Sequence, residues 1–272
     1  MEASAPSARL GSGATAFEAA KRPRLTLPAP AWSLIGGFAL VTILAWLITV
    51  SSSNNLFQLL SEQLSGANPV DRVAYIALVG VMMLAMMLPA ALPMVAAVQT
   101  LSAPSASRRE GYVRATLFSL SYFVVWSLST AAGLVVLMLL GLMGSLSSVY
   151  ALIPGLLLVG AGVYQFTTLK QYCLTKCRSP LGFLMTNWRE GRSGALRMGL
   201  DHSVYCIGCC WLLMGVVFIT GAMSLLWMGV FSALILLEKV WSRGEVFSRL
   251  VGGAAIAVGG ALAVVSAGPW LA

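Results

Sequence analysis

No charged residue lies between Arg114 and Lys170, and none from His202 to Leu237. Each run is too long for one membrane crossing, which takes about 20 apolar residues. Gly141, Gly144, Ser145, Ser147 and Ser148 mark a break in the first run, and Gly221 and Ser224 one in the second. Both therefore read as pairs of spanning helices. Composition agrees: 58% of residues are hydrophobic and 10% charged, against about 25% charged in globular chains. Mean hydropathy is +0.87.

Three further spans complete the reading. The stretch 31–50 is long enough to cross a hydrocarbon core of about 30 Å. A cleavable signal peptide has a shorter apolar region, so this reads as a retained first helix. A second span, 72–99, carries Met82-Met83-Leu84-Ala85-Met86-Met87-Leu88-Pro89 and then Pro93. Its prolines should bend it and free carbonyls that neighbouring helices must satisfy. A glycine- and alanine-rich stretch, 250–267, allows close helix packing. The expectation is an all-α integral membrane protein of about seven transmembrane helices, at 31–50, 72–99, 115–140, 149–169, 198–219, 222–238 and 250–267. They form one domain, 31–272, behind a mobile cytoplasmic tail, 1–30, rich in Ala, Ser and Pro.

The net charge of +8 describes orientation rather than a nucleic-acid surface. With seven spans, 16 of the 17 Lys and Arg residues share the side of the N-terminal tail, and Arg72 alone lies opposite. The positive-inside rule makes that side cytoplasmic and leaves the C-terminus outside. The expected location is the cytoplasmic (inner) membrane of a bacterium.

Chemistry concentrates in Asp201-His202-Ser203-Val204-Tyr205-Cys206-Ile207-Gly208-Cys209-Cys210-Trp211, which holds three of the five cysteines and the single histidine. Positions i, i+3 and i+4 share a helix face. His202, Cys206, Cys209 and Cys210 thus form a stripe, with the cysteines about 12–18 Å into a span beginning near Met198. Soft thiolate and imidazole ligands suit Cu(I) or Zn(II). Asp201 either orients His202 or marks the membrane edge. Cys173 and Cys177 are a second i, i+4 pair, short of a full ligand set. Met83, Met86 and Met87 on span two fall at matching depth, about 13–21 Å along it. Thioethers suit Cu(I) and are poor for Zn(II). Met223, Trp227 and Met228 are weaker candidates. Glu238 and Lys239 end span six, as an ion pair or a proton-handling site.

A near-neutral site is preferred at mid-membrane, where each charge costs roughly 2.5–3.5 kcal/mol or more. Cu(I) with one thiolate and thioethers is neutral, and so is Zn(II) with two thiolates and a histidine. The methionines tilt the choice to copper.

Several of these residues together resemble a family of predicted metal-binding integral membrane proteins, catalogued as domain of unknown function 2182. The pieces are Ala85-Met86-Met87-Leu88-Pro89, Gln165 through Lys170, Cys173-Leu174-Thr175-Lys176-Cys177-Arg178-Ser179-Pro180, Tyr205 through Trp211, Gly221-Ala222-Met223, Trp227-Met228 and Glu238-Lys239. They run from span two to span six. The family pattern has His-Gly where this chain has His202-Ser203, and Met-Asn where it has Met223-Ser224. The resemblance implies metal binding.

Three functions fit. The first is a membrane-embedded protein that binds copper or zinc for handling, delivery or transport, together with a metal-delivering or metal-accepting protein. The second is a thiol-based redox enzyme using Cys206 and Cys209, or Cys209 and Cys210. The third is an accessory subunit of a membrane complex. Bis-histidine haem and three-histidine copper both fail within this chain, since His202 is its only histidine.

Overall fold

The structure, a computed structural model, describes residues 36–51, 69–102, 107–139, 152–219 and 225–271. The expected tail, the two expected helix breaks and Met223 lie outside the described residues. Among those described, all regular structure is helical. The helices are α1 (Gly36–Ser51), α2 (Pro69–Ser102), α3 (Arg108–Leu139), α4 (Leu152–Tyr164), α5 (Thr168–Arg178), α6 (Pro180–Asn187), α7 (Gly191–Ile219), α8 (Leu225–Val240) and α9 (Gly244–Leu271).

Among the described residues, four segments are long and apolar enough to cross a membrane: Ala77–Ser102, Arg108–Gly133, Gly191–Val217 and Gly244–Ala267. Gly36–Ser51 and Gly155–Tyr164 are shorter apolar helices, and α8 has 16 residues. The α9 segment is only 11% buried, and it exposes Val246, Leu250, Val258, Leu262, Val264 and Val265. Water would not tolerate so continuous an apolar face, whereas lipid does. Hydroxyls are satisfied inside their own helices, as Ser119 to the Ala115 carbonyl and Ser129 to that of Val125, both at 2.8 Å.

The largest departure from the sequence reading follows Tyr164. The expected span 149–169 ends early, because Gln165–Thr167 form a turn. Thr167 Oγ1 then accepts from the Lys170 amide at 3.3 Å and caps α5. Ser179 repeats this for α6, accepting from the Gly182 amide at 3.2 Å, with Pro180 in the first helical turn. The chain from Thr168 to Asn187 is therefore two short helices. They bury Lys170, Cys173, Leu174, Cys177, Phe183 and Leu184.

Residue pairings give the helix directions. Along α4 and α9, Gly155 meets Gly259 and Ala263, while Gly162 meets Gly252 and Ile256, so these helices run antiparallel. A Cβ at Gly162 would lie 2.7 Å from the Gly252 carbonyl oxygen. The expected close packing of the last span is real, and it depends on glycine. Helix α3 runs with α7, from the Glu110–Arg192 ion pair (3.1 Å) to Tyr122 beside Cys206. Pro89 and Pro93 sit inside α2. In the turn that Pro89 disturbs, the Met86 carbonyl accepts from Ser232 Oγ of α8 at 3.3 Å.

Two packed clusters result. One joins Met82, Met83, Met86 and Met87 of α2 to all five cysteines, Tyr122, Trp126, Met214 and Met228. The other centres on Met94, Val98, Phe118, Phe183 and Met198.

Candidate metal centre

Helix α7 carries Cys206 and Cys209 one turn apart, and α5 lies alongside with Cys177 in its last turn. The sulfurs of Cys177, Cys206 and Cys209 all lie within 4.8 Å of one another. Cys209 Sγ is 3.8 Å from Cys177 Sγ. Three sulfurs about 2.3 Å from one thiophilic ion would sit about 4 Å apart, so the trio fits such an ion with little movement. All five cysteines are free thiols and buried.

The charged groups around the trio come from helix ends. Glu238 and Lys239 do not pair with each other, because adjacent residues diverge by about 100° around a helix. Lys239 Nζ donates to Cys206 Sγ at 2.9 Å, which sets a positive charge against that sulfur. Glu238 instead pairs with Lys170 at 2.7 Å, and both side chains are almost fully buried. Gln165 Nε2 donates to Glu238 Oε1 at 3.0 Å, and Ser248 Oγ donates to Gln165 Oε1 at 2.9 Å. Lys170 also donates to the Cys209 carbonyl. Tyr122 OH lies 2.9 Å from Cys206 Sγ. The network thus connects α4, α5, α8 and α9 to the backbone of the cysteine helix.

Not every residue singled out from the sequence joins the trio. Cys210 Sγ donates to the Cys206 carbonyl at 3.0 Å and stands outside the three-sulfur group. Cys173 packs against the α7 backbone, where a Cβ added at Gly208 would lie 2.7 Å from its sulfur. Gly208→Ala should therefore destabilise the fold by about 1–3 kcal/mol through overpacking. Adding Cys173→Ala should restore most of it, as thermal denaturation in detergent would show. A Gly208→Ala protein as stable as the parent would contradict this packing.

His202 stands one turn below Cys206 in an aromatic pocket. Its ring centroid lies 5.7 Å from that of Phe118, 5.5 Å from Tyr122 and 5.3 Å from Phe183. Among the described residues its Nδ1 has no hydrogen-bond partner, Asp201 included. Met83, Met86 and Met87 are buried in the same cluster as the cysteines. Met228 is buried there too, while Trp227 is exposed.

Sequence reasoning missed Tyr122, Gln165 and Lys170 as parts of the site. Tyr122 had no signal, being one aromatic residue inside an uncharged span. Lys170 had one: a lysine that directly ends a long apolar run can be a buried partner as well as a loop residue.

No curated protein and no solved structure matches the chain. A family model described as PpoB2, copper chaperone, matches residues 77–262. That range holds the methionines of α2, all five cysteines and the Lys170–Glu238 pair. The family's description names copper, where the resemblance read from the sequence implied only a metal. The chain belongs to the PpoB2 copper-chaperone family.

Proposed function

We propose that the protein is a multi-pass membrane copper carrier that holds Cu(I) at Cys177, Cys206 and Cys209 and passes it to an acceptor protein. The observation that carries this is the meeting of three sulfurs from two helices within 4.8 Å, inside a chain of the copper-chaperone family. Cu(I) favours thiolate and thioether donors. Met83, Met86 and Met87 are the proposed further soft donors, in the same buried cluster.

Charge supports a buried site. Cu(I), two thiolates and the Lys239 ammonium sum to zero, which suits membrane depth. Zn(II) reaches zero with all three thiolates, so charge does not choose between the metals. The preference for copper rests on the family and on the methionine-rich surroundings.

The proposed topology keeps seven crossings in the bacterial inner membrane, with the N-terminus cytoplasmic and the C-terminus outside. Alternating helix directions support it: α9 runs antiparallel to α4, and α3 runs with α7. Helix α5 meets α7 at one level, with both Lys170 and Cys177 against Cys209. Arg108, Arg109, Arg189, Arg192 and Arg243 cluster at helix ends on the proposed cytoplasmic side.

Elemental analysis of protein extracted from membranes tests the reading. Protein loaded anaerobically with Cu(I) should retain about one copper per chain, and zinc in excess should not displace it. Recovery of the chain in the soluble fraction, or metal-free protein after loading, would overturn the proposal.

A further inference from the structure

The three sulfurs are not equivalent. Cys206 and Cys209 sit one turn apart on one long helix, and each is fastened. Cys206 Sγ meets Tyr122 OH and Lys239 Nζ, both at 2.9 Å. Cys209 Sγ donates to the Cys206 carbonyl at 3.1 Å, and its own carbonyl is held by Lys170. Cys177 Sγ faces sulfur, with Cys209 at 3.8 Å.

Cys177 also comes from a different kind of element. Helix α5 has 11 residues and ends at Arg178, one position beyond the thiol. Arg178, its side chain 12% exposed, bonds the turn between α8 and α9, donating to the carbonyls of Trp241 and Ser242 at 2.8 Å each. It pairs there with Glu245 at 3.3 Å. Relative exposure follows the same order: 7% for Cys177, against 0% for Cys206 and 1% for Cys209.

Resting on the copper-carrier reading, we propose that Cys177 is the exchange ligand: Cu(I) enters and leaves through it, while Cys206 and Cys209 are the resident pair. The acceptor is a thiol carrier of Cu(I), approaching from the α5 end beside the α8–α9 turn. An acceptor sulfur bonds copper as the Cys177 bond breaks. Cys206 and Cys209 are then displaced in turn by a second acceptor sulfur. Each acceptor thiol gives its proton to a sulfur it releases, copper stays Cu(I) throughout, and no electron is transferred.

The test uses copper-loaded full-length protein in detergent under anaerobic conditions. Glutathione and a Cys-x-x-Cys peptide serve as separate acceptors, to distinguish a free thiol from a protein dithiol. Cys177→Ser should hold copper more weakly than the parent, yet retain more of it than Cys206→Ser or Cys209→Ser, because the resident pair is left in place. It should transfer that copper about tenfold more slowly to at least one acceptor, equivalent to about 1.4 kcal/mol of lost transition-state stabilisation. Cys206→Ser and Cys209→Ser should carry little copper to transfer. Transfer from Cys177→Ser at the parent rate to both acceptors overturns the proposal. So does loss of copper from Cys177→Ser as complete as from Cys206→Ser.

A second measurement needs no variant. N-ethylmaleimide on the metal-free parent should label Cys177 before Cys206 and Cys209, as read by peptide mass spectrometry. Earlier labelling of either α7 thiol counts against it. If the parent itself holds no copper, the carrier reading fails and takes this inference with it. If the parent holds copper and only the Cys177 results disagree, the inference fails alone.

Discussion

Cys206→Ser should empty the proposed copper centre. Serine keeps the shape and offers an oxygen that Tyr122 and Lys239 can still meet, so the fold should survive. A hydroxyl is a hard donor, however, and Cu(I) prefers soft ones. Replacing an outer-shell partner of a metal ligand already costs roughly 10–100-fold in affinity. Loss of a sulfur of the Cys206–Cys209 pair should exceed that range, whereas loss of Cys177 leaves that pair in place. Copper per chain, measured after extraction and desalting, should fall close to background, and Cys209→Ser should behave alike. Cys210→Ser is the control, because Cys210 lies on the same helix but outside the three-sulfur group. Copper retained by Cys206→Ser at the parent level, or lost equally from Cys210→Ser, would mean that the metal is held elsewhere.

The second large effect concerns stability rather than copper. Glu238→Leu leaves the Lys170 ammonium, with its side chain 1% exposed, without its counter-charge. Removing one partner of a buried ion pair costs about 3–5 kcal/mol, because the remaining charge is stranded away from water. The same change takes the acceptor from Gln165 Nε2, so the denaturation midpoint in detergent should drop clearly. The double variant Lys170→Met, Glu238→Leu removes both charges and should recover much of the loss, since apolar replacement of a whole buried pair is often neutral. It should nevertheless bind copper more weakly, because the Cys209 carbonyl loses the ammonium that holds it. A single variant as stable as the parent would show that the pair is hydrated in solution. A double variant no better than the single one would assign the loss to Gln165 and packing instead.

Much of the α7 half of the site was legible in the residues. Cys206 and Cys209 are three apart, and helical geometry alone puts them on one face. Cys210 shares the stripe but lies outside the three-sulfur group, and His202 sits among the rings of Phe118, Tyr122 and Phe183. For Cys173 and Cys177 the spacing suggested a pair. Residues four apart are separated by about 6 Å along the axis, so one small centre can take one and leave the other. Which one depends on how α5 lies against α7. Gly208 gives Cys173 its resting place, and Cys177 goes to the sulfurs.

The charged residues teach the same lesson. Neighbouring opposite charges at 238 and 239 read as a local pair, yet each finds its partner more than thirty positions away in the chain. By itself the sequence determined that this chain is helical and apolar, and that three of its five cysteines share one helix. Those properties follow from hydropathy and the helical repeat, both local. Only the tertiary structure decided where α4 stops, which α5 cysteine joins the centre, and that Lys239 rather than Glu238 faces the sulfur. Each of these depends on the register between packed helices, which is set by complementary surfaces far apart in the chain.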